Sequence, residues 1–524
     1  MTACDTSLTV DRYISQPTTT IKAVHVASLS VRALCPVPRR DVMTGVPEDR
    51  FVSVGPPVIE DETTVRRATK AAAVGNVAEW YDFGIYSYLA AVALDRVFFP
   101  DAGDWAPVLT LGAFAAAFLV RPLGGLVFGP LGDRIGRTKV LSATVLMMAV
   151  ATVLLGLVPG HATIGVAAPL IVLFIRMLQG FSAGGEYTGA LTLVAEYSPD
   201  RRRGFFGSWL EFGTLVGYTL GAGTSAVLIA LLPTDDLLSW GWRLPFMLAL
   251  PLGITGIYLR MRLEETPAFR QLLERSPAIS TMSPRRAFQI LITRYRSAAL
   301  VGAGLVVAWN VTNYVLTNYV PTYLTGTLPR FGESGTSEAL STGLQVVVML
   351  LMLCVILPVG RLSDRIGRKP ILFAGSAALV VLGLPAVWLL RHGLAGQIAG
   401  LLIMGATLLC FAAVTPSTLP ALFPTLIRYG SLAIVFNVFV SAFAGTAPTA
   451  IGAAVAATGN LDWPGYYLVG AGVVGLVSTW FLRESAGRPL AGAAPLRSSA
   501  DLPAPVLSPD GVPLENPPRS ERRG

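Results

Sequence analysis

The sequence predicts an all-α membrane protein: twelve transmembrane helices in two pseudo-symmetric six-helix halves. Three observations predict it. Apolar residues make up 53% of the 524, mean hydropathy is +0.59, and only 14% are charged, against about 25% in a soluble domain. Many stretches of about 20 residues are free or nearly free of charge, long enough to cross a bilayer as helices. One basic phrase also occurs twice, GPLGDRIGRTK from Gly129 and GRLSDRIGRKP from Gly360, 231 residues apart and each between long apolar segments. Period-2 alternation is absent, so helices remain the way to satisfy a spanning backbone. A duplicated loop of this kind implies a duplicated helical unit, as in secondary transporters.

Along the chain, residues 1–60 mix Thr, Val and Pro and lack the basic, apolar and small-residue order of a signal peptide. They are expected to be disordered or a mis-assigned start. The first half, 61–261, holds spans at about 70–93, 107–128, 139–159, 166–194, 204–231 and 243–260. A central loop, 262–296, is expected to be cytoplasmic. The second half, 297–484, holds spans at about 297–324, 338–359, 370–390, 396–420, 431–454 and 465–483. The tail, 485–524, is rich in Pro, Ala and Ser and reads as disordered and cytoplasmic.

Basic residues set the orientation. Arg134, Arg137 and Lys139 follow the second span; Arg201, Arg202 and Arg203 the fourth; Arg361, Arg365, Arg368 and Lys369 the eighth. The segment 260–296 carries eight Arg and three Glu, whereas the opposite loops carry Asp95, Asp101 and Asp104 or Asp235 and Asp236. By the positive-inside rule both termini are expected in the cytoplasm, and the cell membrane is the expected site. The net charge of +8 is therefore a topology signal and not a nucleic-acid footprint. A fainter repeat agrees: AEYSPDRRRG at 195–204 and ALFPTLIRYG at 421–430 both follow the fourth span of their half.

The duplicated loop resembles the signature of the major facilitator superfamily, and RMLQG at 176–180 resembles its fourth-helix motif. Within it, GNVAEWYDFGIY, RPLGGLVFG, GFSAGGEYTGA, AEYSPDRRRG, WGWRLPF and LEETPAF resemble the metabolite–proton symporter family, from about Asp61 to Pro489. Among that family's members the likeness is greatest to the carriers of proline and glycine betaine. The resemblance implies proton-coupled uptake of small zwitterionic osmolytes. The alternative is a proton symporter of an organic acid of the 2-oxoglutarate, citrate or shikimate type. Some betaine carriers end in a coiled coil, which this tail cannot form.

An ionisable group inside a spanning helix costs about 3 kcal/mol or more, so each is a functional candidate. Glu79 and Asp82 lie in span one, Arg121 in span two, Arg176 and Glu186 in span four and Glu211 in span five. Glu79, Asp82, Arg176, Glu186 and Glu211 are the proton-coupling candidates. Arg121 reads as structural or gating, and Arg176 as the partner either of a carboxylate from span one or five, Glu211 among them, or of a substrate carboxylate. The last six spans offer neutral polar groups instead, so the first half is expected to handle the proton and the second to contact the solute. Asn76, Glu79, Phe83 and Tyr86 recur at helical spacing on one face of span one. Asn76, Phe83, Tyr86, Asn310, Asn313 and Tyr314 are the substrate-binding candidates, because rings beside a carboxylate suit a cationic nitrogen.

In the repeated loop, Asp133, Arg134, Arg137, Asp364, Arg365 and Arg368 are the gating candidates. An Asp at a helix end can cap a neighbouring helix or pair with an Arg across the gap between halves. Gly129, Gly132 and Gly136 are expected to permit the tight turn.

Neither a cofactor nor catalysis is expected. Gly221-Ala222-Gly223 lies mid-span with no strand before it, and no GxxxxGK[ST] loop exists, so no nucleotide partner is expected. His25, His161, His392 and the four cysteines show no metal-ligand spacing. Trp80, Trp240 and Trp242 read equally as interface anchors or ligand contacts. The expected partners are a small solute, a proton and the lipid bilayer.

Overall fold

The computed structural model describes residues 58–101, 106–275 and 283–499. Long helices occupy every expected span: α1 (Glu62–Leu89), α2 (Ala106–Ile135), α3 (Arg137–Leu157), α4 (Ala167–Tyr197), α5 (Arg203–Leu231), α6 (Arg243–Met261), α7 (Arg296–Tyr314), α8 (Glu338–Ile366), α9 (Arg368–Leu389), α10 (Gly393–Ala412), α11 (Arg428–Phe439) and α12 (Trp463–Phe481). Helical continuations carry α7 to Arg330, α10 to Leu422 and α11 to Thr458. Among the described residues ten segments are long and apolar enough to cross a membrane. The other two are α1, which holds Arg66, Arg67, Lys70, Glu79 and Asp82, and α12, whose first turns carry Trp463, Pro464, Tyr466 and Tyr467.

Burial is inverted relative to a soluble protein. Leu119, Phe174, Leu300, Val381, Trp480 and Phe481 are among the most exposed side chains, while Glu79, Asp82, Arg121, Arg176 and Glu186 are fully buried. Apolar groups outside and paired charges inside are what a lipid solvent demands.

In the first half α1 packs on α5 and α2 on α4; in the second α7 and α9 pack on α12. Small residues allow the closest approach. A Cβ at Gly180 of α4 would lie 2.0 Å from the Ala117 carbonyl oxygen of α2, so only glycine permits that contact. The halves meet along α2 with α11 and α5 with α8, and α4 also touches α11.

The repeated loop has the same geometry in both copies. α2 ends at Ile135, Gly136 takes φ +114°, and α3 starts at Arg137; α8 ends at Ile366, Gly367 takes φ +101°, and α9 starts at Arg368. Both glycines turn the chain in a region that other residues avoid. Gly129 and Gly132 do not share that role. They lie inside α2, where a Cβ would collide with Gly430 and with the Tyr429 ring, so they let α11 approach.

The expected domain limits change at three places. Val58–Glu60 forms a strand, β1, directly before α1, and residues 1–57 lie outside the described residues. The central loop contains two helices, Pro267–Arg275 and Pro284–Arg294. Residues 485–499, read from composition as part of a disordered tail, are packed on the face that carries the repeated loops, called here the basic face. Leu496–Ser498 forms β2, parallel to β1. Low hydropathy does not exclude order where the backbone finds hydrogen-bond partners on an existing surface.

Candidate functional site

Among the described residues three ion pairs lie at membrane depth, all within the first half. Arg121 Nη2 meets Glu79 Oε1 at 3.0 Å, joining α2 to α1. Arg176 Nη1 meets Asp82 Oδ2 at 3.1 Å, joining α4 to α1. Arg260 Nη1 meets Glu186 Oε1 at 3.2 Å, joining α6 to α4. Gln179 extends the second pair: its amide donates to Asp82 at 2.8 Å and to Thr152 at 3.0 Å, and its carbonyl accepts from Arg176 at 2.7 Å. A charge in hydrocarbon is tolerated only with a partner, so these pairs specify how α1, α2, α4 and α6 assemble.

Among the described residues Glu211 has no arginine partner. It accepts from the Tyr187 hydroxyl at 2.6 Å and from Thr214 at 3.1 Å, and Thr214 accepts from Asn76 at 2.6 Å. Of the partners expected for Arg176, a carboxylate of span one or of span five, the structure pairs it with Asp82 of span one and not with Glu211.

Aromatic rings line these charges. The Phe83 ring lies between two guanidinium groups, 5.5 Å from Arg121 and 5.4 Å from Arg176, and Tyr86 lies 3.9 Å from Arg176. One chain of rings runs Tyr218, Trp80, Phe83, Phe118, Tyr314, with centroids 5.5–5.8 Å apart. A second group gathers Tyr187 of α4, Trp309 of α7 and Phe436 of α11, with centroids 5.0, 5.9 and 6.0 Å apart. Both groups bridge the halves.

The substrate-binding candidates therefore scatter. Phe83 and Tyr314 belong to the ring chain. Tyr86 underlies Arg176 and donates to the Thr110 carbonyl at 3.0 Å. Asn76 is committed to helix packing, its amide donating to the Leu210 carbonyl at 2.7 Å. Asn310 bonds its own helix at Val306, and Asn313 is half-buried. Sequence reasoning missed Arg260, counted as a loop residue, together with Phe118, Tyr187, Tyr218, Trp309 and Phe436. For the aromatic residues the signal was the aromatic content of their spans, and for Arg260 a charge at the end of a span. Trp80 joins the rings, Trp242 is buried against Phe98 and Phe246, and Trp240 is exposed.

On the basic face the repeated aspartates cap helices of the opposite half. Asp133 accepts from Tyr429 N at 3.3 Å and Gly430 N at 2.7 Å, in the first turn of α11. Asp364 accepts from Gly204 N at 2.7 Å and Phe205 N at 2.8 Å, in the first turn of α5. Those N–H groups have no partner within their helices, and the carboxylate also meets the positive end of the helix dipole. Arg137 pairs with Asp133 at 3.1 Å and donates to the Thr425 carbonyl at 2.6 Å; Arg368 lies 3.8 Å from Asp364. Glu196, outside the sequence candidates, joins Arg137 at 3.4 Å, Thr266 at 2.5 Å and Arg428 of the second half. Arg134 and Arg365 sit exposed at the loop edges.

The fainter repeat is shifted by one residue. Alignment pairs Arg202 with Arg428, but Arg203 is the structural equivalent. Arg203 and Arg428 each begin a helix and fold back onto the carbonyl eight residues earlier, Ala195 and Pro420.

The chain matches the sugar (and other) transporter family over residues 68–281 and 273–495. It belongs to that family. It is 46% identical over 455 residues to the proline/betaine transporter of Escherichia coli strain K12, covering 86% of this chain and 89% of the relative. It is 45% identical over 455 residues to the glycine betaine/proline/ectoine/pipecolic acid transporter of Dickeya dadantii strain 3937, with the same coverage. Among solved structures, the proton:xylose symporter XylE bound to 6-bromo-6-deoxy-D-glucose aligns with a TM-score of 0.68 at 18% identity, covering 83% of this chain and 99% of that one. The protein thus has the all-α major facilitator fold. Membership in the sugar (and other) transporter family makes it a multi-pass membrane transporter.

Proposed function

We propose that the protein is a proton-coupled symporter for uptake of small zwitterionic osmolytes of the proline and glycine-betaine class. It would lie in the plasma membrane with twelve spans and both termini in the cytoplasm, as the basic loops indicate. The single observation that carries the solute class is the partition of charge. The membrane-depth arginines Arg121, Arg176 and Arg260 each already face a carboxylate in the first half. A net-anionic solute would compete with those carboxylates, whereas a zwitterion leaves their number of charges balanced. The 45–46% identity to transporters named for proline and betaine points the same way.

The chemistry follows from the pairs. A buried carboxylate that loses its arginine is stabilised by taking a proton. Protonation of Glu79 releases Arg121, whose buried Nε has no partner and is available to a solute carboxylate. Rings such as Trp309, Tyr187 and Phe436 hold the cationic nitrogen, worth up to about 2 kcal/mol when desolvated. Asp133, Asp364 and the Glu196–Arg428 pair close the cytoplasmic gate while the solute enters from outside.

The test is uptake of labelled glycine betaine, proline, 2-oxoglutarate and shikimate in a transport-deficient host, with and without a protonophore. Betaine or proline accumulation that collapses with the protonophore is expected. Transport of an organic acid alone replaces the zwitterion reading.

A further inference from the structure

Residues 485–498 leave α12 and cross the basic face from one half to the other. Their anchors on the second half come first. The Ser485 carbonyl and hydroxyl accept from Arg368 at 3.2 and 2.7 Å. The Ala491 carbonyl then collects three donors: Thr425 N at 3.0 Å, Thr425 Oγ1 at 3.3 Å and Arg428 Nη2 at 2.8 Å. The anchors on the first half follow. Arg203 Nη1 donates to the Arg488 carbonyl at 3.1 Å. Leu496 and Asp200 bond reciprocally, Asp200 N to the Leu496 carbonyl and Leu496 N to the Asp200 carboxylate, both at 3.0 Å. β2 pairs with β1, and Ser498 donates to Glu62 at 2.8 Å. Beneath the segment, Leu490 and Ala493 are buried with Ala195 of α4, Ala268 of the central loop and Ala421 beside α10.

These contacts cannot all survive if the halves separate on this face. The chain is tethered to the second half at α12, yet its strongest backbone pairing is to the first. The shared group is Arg428, which bonds both Glu196 of the first half and the Ala491 carbonyl. Opening that withdraws Arg428 from Glu196 carries the Ala491 anchor away from Arg203, Asp200 and β1, so the segment cannot keep both sets of bonds. From Ser485 to Leu496 an extended chain spans up to about 36 Å, at roughly 3.3 Å per residue. A tether of that reach stays joined to both halves once Arg488 lets go of Arg203 and Ala491 of Thr425 and Arg428.

We propose that residues 485–498 form a clasp that holds the two halves together on the basic face and releases at Arg488 and Ala491 when that face opens. The inference rests on the arrangement of the halves and not on the identity of the solute.

The test is a distance across the basic face that needs no solute. Lys139 and Pro370, exposed at matching positions of α3 and α9, are changed to Cys and spin-labelled in the purified protein, with the four native cysteines replaced. Three chains are compared: full length, ending after Ser499, and ending after Ser485. The chain ending after Ser499 should give the full-length distance distribution. The chain ending after Ser485 should raise the longer-distance population several-fold. If that shorter chain does not assemble, Leu496→Pro in the full chain removes the Leu496 N–H that donates to Asp200, and a rise in the same direction is expected. Unchanged distances on losing the clasp, or an equal change on losing only residues after 499, would overturn the proposal. A failure of betaine or proline uptake would leave this measurement unaffected.

Discussion

Asp133 and Asp364, equivalent residues of the two repeats, each cap a helix that belongs to the other half. Asp133 binds the N–H groups of Tyr429 and Gly430, and Asp364 those of Gly204 and Phe205. The duplication thus builds two reciprocal fastenings. In each, an aspartate from the end of one half's second helix meets the start of the opposite half's fifth, counting helices within a half. A charged acceptor on exposed helix-terminal donors is stronger than a neutral one, yet remote from the ion pairs at membrane depth.

Asp133→Asn keeps the acceptor oxygen and removes the charge. Turnover should fall about tenfold, equivalent to about 1.4 kcal/mol, while solute affinity stays within about threefold. Asp364→Asn should behave alike, and the double variant should lose close to the product of the two effects because the sites share no partner. Transport and equilibrium binding measured side by side check this. Loss of binding in a correctly inserted protein would remove both residues from the gate.

Glu79→Gln should abolish accumulation against a gradient while leaving solute exchange in preloaded vesicles. The amide can still accept from Arg121 but cannot take up the proton. Protonophore-sensitive accumulation at the normal level in this variant would take the coupling role away from Glu79.

Arg176→Ala should destabilise the protein by about 3–5 kcal/mol, the usual cost of leaving a buried carboxylate without its partner. Arg66→Ala, whose side chain is 65% exposed in its pair with Glu62, should change stability by under about 1 kcal/mol. Adding Asp82→Asn to Arg176→Ala should restore part of the loss. Thermal unfolding in detergent measures all three.

Trp309→Ala should weaken betaine affinity by roughly thirtyfold, the equivalent of about 2 kcal/mol of cation–π attraction. Trp309→Phe should lose much less. Equal affinity in the wild type and Trp309→Ala would move the cationic nitrogen elsewhere, with Trp80 and Tyr218 the next rings to change.

Much of this arrangement was legible before any coordinates. The doubled GPLGDRIGRTK phrase marks the halves, the expensive charges mark Glu79, Asp82, Arg121, Arg176 and Glu186, and Asp133 was placed as a cap or a cross-gap partner. The illegible parts depend on rotation and approach. Helical spacing puts Asn76 and Glu79 on one face of α1, but neighbours on two sides divide that face, α5 taking Asn76 and α2 taking Glu79. Nothing in single-span periodicity says that Tyr187, Trp309 and Phe436 converge from three helices. Arg260 looked like a loop residue because it ends a span, yet its guanidinium lies over Gly75. The clasp was missed because its order comes from backbone groups, which composition does not register.

The confinement of the membrane-depth ion pairs to one half has a consequence for how such a protein changes over time. If energy coupling rests on these carboxylates and arginines, as proposed, they must match one another and substitutions there are constrained in pairs. The neutral inner wall of the opposite half carries no such bookkeeping, and its residues are free to vary one at a time. Cargo preference can therefore drift while the proton machinery stays fixed. A chimera that keeps residues 61–261 and takes its remaining helices from a relative should run on the same driving force with a different solute.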